Sequence, residues 1–128
     1  MAGNIADYAE NKVLDHMLGT GAWAMPTIYI ALYTSDPTDA DVGTEVSGGN
    51  YARQTAAFVA AAAGATDNSG IILFPQATAD WGTLTHVGIR DALVAGNLLW
   101  QGILTVAKTI GIGDQFRFPV GALDVSLD

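Results

Sequence analysis

Seven short runs rich in β-branched and aromatic residues dominate the chain from residue 27 to residue 127. Each run is bounded by Gly, Pro, Asp or Asn, which is typical of β-strands joined by tight turns. Strands are predicted at 27–33, 50–62, 71–75, 84–91, 97–106, 114–119 and 122–127. Within 50–62 the alanine run leaves only the first part as a strand candidate. The last two runs alternate apolar and polar side chains, so one face of each is expected to be buried.

A single helix is predicted at residues 4–18, before the first strand. Ile5, Tyr8 and Met17 recur at helical spacing, Asn4 is placed to cap the start, and Gly19 follows the end. The pattern as a whole predicts an all-β fold: an antiparallel β-sandwich or jelly-roll-like domain of about seven or eight strands with one N-terminal α-helix. The length of 128 residues suits a single domain over 1–128, with the helix at 4–18 and the sandwich at 27–127.

The charge balance excludes several classes of partner. The net charge is −8 with only five Lys and Arg residues, too few to neutralise nucleic-acid phosphates or to bind an anionic membrane surface. No apolar stretch reaches the roughly 18 to 20 residues that span a bilayer. The mean hydropathy of +0.30 is high for a soluble domain, so apolar surface is expected to be covered by copies of the chain or by a partner.

The loop at residues 36–54 carries four acids, Asp36, Asp39, Asp41 and Glu45, which suggests calcium. A helix–loop–helix calcium site needs a third ligand two residues after Asp41 and a glutamate at the twelfth position, with helices on both sides. Gly43 and Asn50 stand at those positions, and no helix flanks the loop. We therefore predict a polar connection between strands in which Arg53 pairs with one of the acids. No metal site is predicted.

Catalytic groups are not apparent either. The histidines are His16, expected to be partly buried on the helix, and His86, expected within a strand. No G-x-S-x-G motif occurs, and no pair of carboxylates stands out for acid–base chemistry. The glycine-rich stretches at 19–23 and 111–115 lack the following helix of a phosphate cradle. No enzyme activity and no cofactor are predicted.

Of the three tryptophans, Trp100 and Trp81 have different expected positions. Trp100, in a strongly apolar run, is expected in the core. Trp81, in the loop "TADWG", either is exposed or plugs one end of the sandwich. It is read as a packing anchor or subunit contact, with a sugar or receptor platform as the alternative.

Five stretches together carry a family resemblance: "IYIALYTSDPT", "GTEVSGGNYARQ", "FPQATADWGTLTHVGI", "GNLLWQG" and "GDQFRFPVGALDVSLD". The chain resembles small virion proteins of tailed bacteriophages, commonly labelled phage tail fibre proteins, and is similar to capsid decoration or cement proteins. The resemblance covers nearly the whole chain. It departs at "VAAAAGA" and "IRDALVAGN", where the chain is unusually rich in alanine.

The resemblance implies a structural role in the virion, on the capsid exterior or the tail, after synthesis in the host cytoplasm. The first expectation is a capsid decoration (cement) protein that stabilises the head as a homotrimer in contact with the major capsid protein. The alternative is a small tail fibre or baseplate-associated protein that takes part in host attachment and contacts other tail proteins or a host-surface receptor. Candidate contacts with a partner or a second subunit are Tyr8, Lys12, Asp15, Tyr51, Arg53 and Trp81.

Overall fold

The computed structural model describes residues 1–127. Within them, eight strands and one helix follow in the order β1 (Gly3–Ile5), α1 (Asp7–Leu18), β2 (Tyr29–Tyr33), β3 (Ala65–Asp67), β4 (Ile72–Leu73), β5 (Gly82–Arg90), β6 (Leu98–Ile110), β7 (Arg117–Phe118) and β8 (Asp124–Ser126). A four-stranded antiparallel sheet has the order β1-β6-β5-β2, and β3 pairs with β8 and β4 with β7. The predicted all-β fold with one N-terminal helix is confirmed.

The helix begins later than predicted, because a short strand occupies its expected start. Gly3–Ile5 pairs with β6, and Asn4, expected to cap the helix, lies opposite Gln101 in that pairing. Ala6 stands at the N-cap instead and makes no side-chain capping bond. The pairing depends on close packing, since a Cβ on Gly3 would lie 2.1 Å from the Trp100 indole. Gly19 ends the helix in the left-handed conformation (φ 79°), as predicted.

The region 50–62 forms no continuous strand. Its β-pairing is limited to isolated bridges, Gln54 to Ile30, Phe58 to Asn68 and Ala62 to Ala65. Alanine has a low β-propensity because it offers little side-chain surface for packing on a sheet. The alanine run therefore does not favour a continuous strand. The segment after it, which lies between two predicted strands, contains strand β3, which pairs with β8.

The helix packs on the sheet only through its first half. Ala9 is its one fully buried residue, whereas Leu14, Met17 and Leu18 are 51, 69 and 71% exposed. His16, expected to be partly buried, is exposed. These apolar side chains at positions i, i+3 and i+4 therefore share an uncovered helix face.

Aromatic side chains fill the space between the sheets. Tyr51 stacks on Phe74 with ring centroids 6.2 Å apart and meets Trp81 edge-on at 5.5 Å. Trp100 is buried, as predicted. Trp81 is 5% exposed, so of its two predicted placements the plugging one is observed and the exposed one is wrong. Its indole N–H donates to the Gly49 carbonyl at 2.8 Å.

Strand β6 contains an irregularity of several residues in its pairing with β5. It takes five steps from Ile103 to Lys108 while β5 takes two from Leu84 to His86. Three extra residues therefore leave the ladder, and residues 105–109 are exposed.

Candidate functional site

The turn at 91–97, between β5 and β6, displays two apolar side chains to solvent. Leu93 is 54% and Val94 80% exposed. The base of the turn is closed by Asp91, whose carboxylate accepts from the Asn97 backbone N–H at 2.6 Å and from its side-chain amide at 3.0 Å. The turn thus presents Leu93 and Val94 on a closed backbone.

Arg53 holds this turn from beneath. Its Nη1 donates to the carbonyls of Ala92 and Ala95, both at 2.7 Å. Its Nε and Nη2 donate to the two carboxylate oxygens of Glu45 at 2.8 and 2.7 Å. The residue is 8% exposed, so one buried guanidinium links the turn to the acidic loop. The predicted pairing of Arg53 with an acid of the loop is confirmed, with Glu45 as the partner.

Arg90 repeats the arrangement from the end of β5. It donates to both oxygens of Asp41 at 2.7 and 2.9 Å and to the Gly96 carbonyl at 2.9 Å. The same guanidinium donates to the Tyr33 hydroxyl at 2.9 Å. Arg53 and Arg90 each donate two hydrogen bonds to one carboxylate. This geometry fixes the orientation of each guanidinium as well as its distance from the acid. The turn is therefore held by four carbonyl contacts with defined geometry, the fourth being Arg90 Nε to Ala95 at 3.3 Å.

Tyr51 completes the cluster. Its hydroxyl donates to Glu45 Oε2 at 2.6 Å and accepts from the backbone N–H of Leu32 at 3.0 Å. Burial, and then the hydrogen bond to Glu45, raise the pKa of the Tyr51 phenol. The hydroxyl therefore stays protonated and bridges the acidic loop to strand β2.

The ionisation states of the other members are also fixed by their neighbours. Burial acts to raise the pKa of Glu45, but the hydrogen bonds from Arg53 and Tyr51 outweigh it and leave that pKa lowered. Burial acts to lower the pKa of Arg90, but the hydrogen bonds to Asp41 and Tyr33 outweigh it and raise that pKa. Glu45 and Arg90 are therefore charged at neutral pH, and the pairs remain ionic.

The buried polar groups of the cluster are satisfied by hydrogen bonds within the chain. Among the residues that the structure describes, every buried side-chain nitrogen and oxygen has a hydrogen-bond partner. An open groove of about 550 Å³ lies beside it, with Tyr51 and Arg53 in its lining and Leu93 and Val94 along one side. The hydrogen-bonded turn thus forms an apolar edge of this groove.

Three of the six residues predicted to contact a partner meet at this cluster, namely Tyr51, Arg53 and Trp81. The other three lie on helix α1: the Lys12 ammonium is 5.6 Å from the centre of the Tyr8 ring, and Asp15 accepts from the Thr20 hydroxyl at 2.8 Å. Partner contact stays a prediction for all six residues. Arg53 and Trp81 are buried within the chain, which leaves their neighbours on the turn as the accessible surface.

Sequence reasoning missed Arg90 and the turn it holds. The signal was present, because Arg90 is one of only five cations and stands at the end of a strand, directly before the turn. The partner residue, Asp41, was considered as a metal ligand, and its salt bridge to Arg90 replaces that role.

The two histidines lie elsewhere. His86 Nε2 is 3.7 Å from Asp36, beyond hydrogen-bond length, and its Nδ1 is 2.8 Å from the Thr85 hydroxyl. His16 Nδ1 accepts from the backbone N–H of Trp23 at 3.2 Å. Each histidine thus has a local partner on the exposed or half-buried surface.

The structure is that of a small all-β protein in which two arginine–acid pairs hold a surface turn. The family model described as "Podophage GP4 fiber I protein gp80" matches residues 4–126, and the chain belongs to this family. It is accordingly a bacteriophage fibre or other virion structural protein. No curated protein matches the sequence. None of the helices within residues 1–127 has the length and apolar character needed to cross a membrane.

Proposed function

We propose that the protein is a small subunit of the phage tail fibre, a single non-enzymatic domain that joins neighbouring virion proteins through the arginine-held turn at 91–97. The observation that carries the proposal is the pair of buried guanidiniums under Leu93 and Val94. Leu93 and Val94 are adjacent and exposed, so they offer apolar surface that a partner can cover. On a preorganised turn they lower the entropy cost of binding a partner.

The family description supports the tail as the location. The chain has 128 residues and no fibrous repeat, so it does not build a long shaft alone. A compact unit of this kind attaches to a shaft, caps it, or connects it to the tail. Its partners are copies of itself, in a homotrimer, and adjacent tail proteins, with host attachment as the purpose of the assembly.

Capsid decoration is the second candidate. The uncovered helix face of Leu14, Met17 and Leu18 favours it, because a decoration protein needs a second apolar surface that meets the shell while the first meets sister subunits. In that case the partner is the major capsid protein. Both candidates require many copies, so that weak contacts add through avidity.

The location is tested by electron microscopy of phage particles labelled with antibody against this protein. Label at the tail supports the fibre subunit, and label spread over the head supports decoration and overturns the fibre proposal. The label is checked on particles grown from a phage that lacks the gene.

The role of the turn is tested with the double variant Leu93→Ser/Val94→Ser. Both side chains are exposed, so the variant is expected to fold like the parent while its incorporation into particles falls at least tenfold. The matched control is Ile112→Ser/Val120→Ser, which removes two apolar side chains that are 73 and 61% exposed on other turns. Normal incorporation of the first variant, or equal loss in both, would refute the role of the turn.

A further inference from the structure

Two of the five cations have no partner within the described chain. Arg53 and Arg90 are paired with acids, and Lys12 lies over an aromatic ring. Lys108 and Arg117 are exposed, and no carboxylate of residues 1–127 lies within 4.0 Å of either. Within residues 1–127, Lys108 and Arg117 are thus exposed positive charges without an acidic partner, in a chain of net charge −8.

Lys108 and Arg117 line the same groove, between the end of β6 and the start of β7. The groove measures about 370 Å³, and its other lining residues include Ile110 and Phe116, which are buried, and Gln115. Two cations beside apolar side chains suit a segment that carries carboxylates next to apolar atoms.

A matching cluster of acids lies elsewhere on the surface. Carboxylate oxygens of Asp7, Glu10 and Asp39 lie within 4.8 Å of one another. Asp39 is oriented by the Gln101 side chain, which donates to it at 3.2 Å. No cation of residues 1–127 lies within 4.0 Å of the three, so within the described chain the cluster is stabilised only by the Gln101 amide and by the N-terminal end of α1.

The two features stand at opposite ends of strand β6. Gln101 contacts the acidic cluster, and Lys108 lines the basic groove seven residues further along the strand. Their partners on β5, Gly88 and Leu84, are four residues apart, so at about 3.3 Å per residue the separation along the sheet is about 13 Å. A single chain cannot bring the two together, whereas consecutive copies can.

We infer that the basic groove binds the acidic cluster of a second copy of this chain, in a head-to-tail contact. Such a contact uses two different surfaces, and it therefore produces either a closed ring or an open filament. Charge complementarity selects the register, because the net negative charge repels any other approach of two copies. The contact involves neither the turn at 91–97 nor a given location in the virion, so it can fail while the proposed function holds.

The test is a charge swap on the full chain, measured by sedimentation equilibrium in about 0.1 M salt, where the Debye length is about 10 Å. The parent is expected to form oligomers as its concentration rises. Lys108→Glu/Arg117→Glu and Asp7→Lys/Glu10→Lys are each expected to weaken self-association at least tenfold. Mixing the two variants is expected to restore complexes, because each reversed surface meets its complement.

The control is Asp80→Lys/Asp124→Lys, which changes the net charge as much as Asp7→Lys/Glu10→Lys at exposed sites outside the cluster, and which is expected to associate like the parent. Circular dichroism checks that every variant is folded. The inference is overturned if the mixture stays monomeric, if the control loses association equally, or if Lys108→Glu/Arg117→Glu still associates. It is also overturned if association requires added calcium, because a metal ion would then be the occupant of the acidic cluster.

Discussion

Replacing Arg53 with methionine tests whether the arginine holds the acidic loop and the turn together. The substitution keeps an unbranched side chain of similar length and removes the charge and all four hydrogen bonds. Glu45 is then left as a carboxylate with only Tyr51 as a donor, in a position where its side chain is 23% exposed. The destabilisation therefore comes mainly from a charge without its partner.

Removing one member of a buried pair costs about 3–5 kcal/mol. The partial exposure of Glu45 lets water replace some of the loss, so we expect Arg53→Met to lower the free energy of unfolding by about 2–4 kcal/mol. In a chain of this size that is a fall in Tm of roughly 10 °C. The measurement is urea unfolding followed by tryptophan fluorescence.

A double-mutant cycle separates the pair from the rest of the cluster. In Arg53→Met/Glu45→Gln the remaining amide is neutral and still accepts from Tyr51, so the double variant is expected to lose at least about 1 kcal/mol less than the sum of the single losses. Lys12→Met is the control and is expected to stay within about 0.5 kcal/mol of the parent. Additive losses, or an Arg53→Met loss below about 1 kcal/mol, would show that the pair does not hold the loop.

Three further predictions concern stability. Because the pKa of Glu45 is lowered in the folded state, its contribution to the free energy of unfolding is present above the unfolded pKa and is lost as the pH falls through the folded pKa. Urea unfolding below pH 4.5 should show this decline in stability, and E45Q should make it less steep. Tyr51→Phe should cost about 1–3 kcal/mol, since the buried Leu32 N–H loses its acceptor, and an unchanged urea midpoint would contradict this. Gly102→Ala, whose Cβ would lie 2.6 Å from an indole carbon, should cost about 1–3 kcal/mol by calorimetry, against no loss for Gly70→Ala in open space.

The strands that the sequence predicts well are those whose pattern reflects their burial. "IYIALY" is β-branched and aromatic, and four of the five residues in β2 are buried. The run from Leu98 is apolar for the same reason, and its first five residues are buried. Local composition was sufficient here because each strand lies on a sheet that buries most of it.

The errors arise where distant pairing decides the structure. Strand β1 depends on the fit of Gly3 beside the indole of Trp100, a contact 97 positions away that no local pattern contains. The Arg53–Glu45 pair was predictable because the two residues are eight positions apart in one loop. Arg90 and Asp41 are 49 positions apart, so their pairing needs the β2–β5 register to be known.

The two arginine–acid pairs also have a consequence for how the sequence can vary. Each acid satisfies one arginine, and each arginine holds carbonyl groups of the same turn. If the acid at position 45 is lost, the arginine at 53 loses its partner, and the same holds for positions 41 and 90. Related sequences should keep or lose each pair as a unit, and the length of the 91–97 turn should change only in those that lose one.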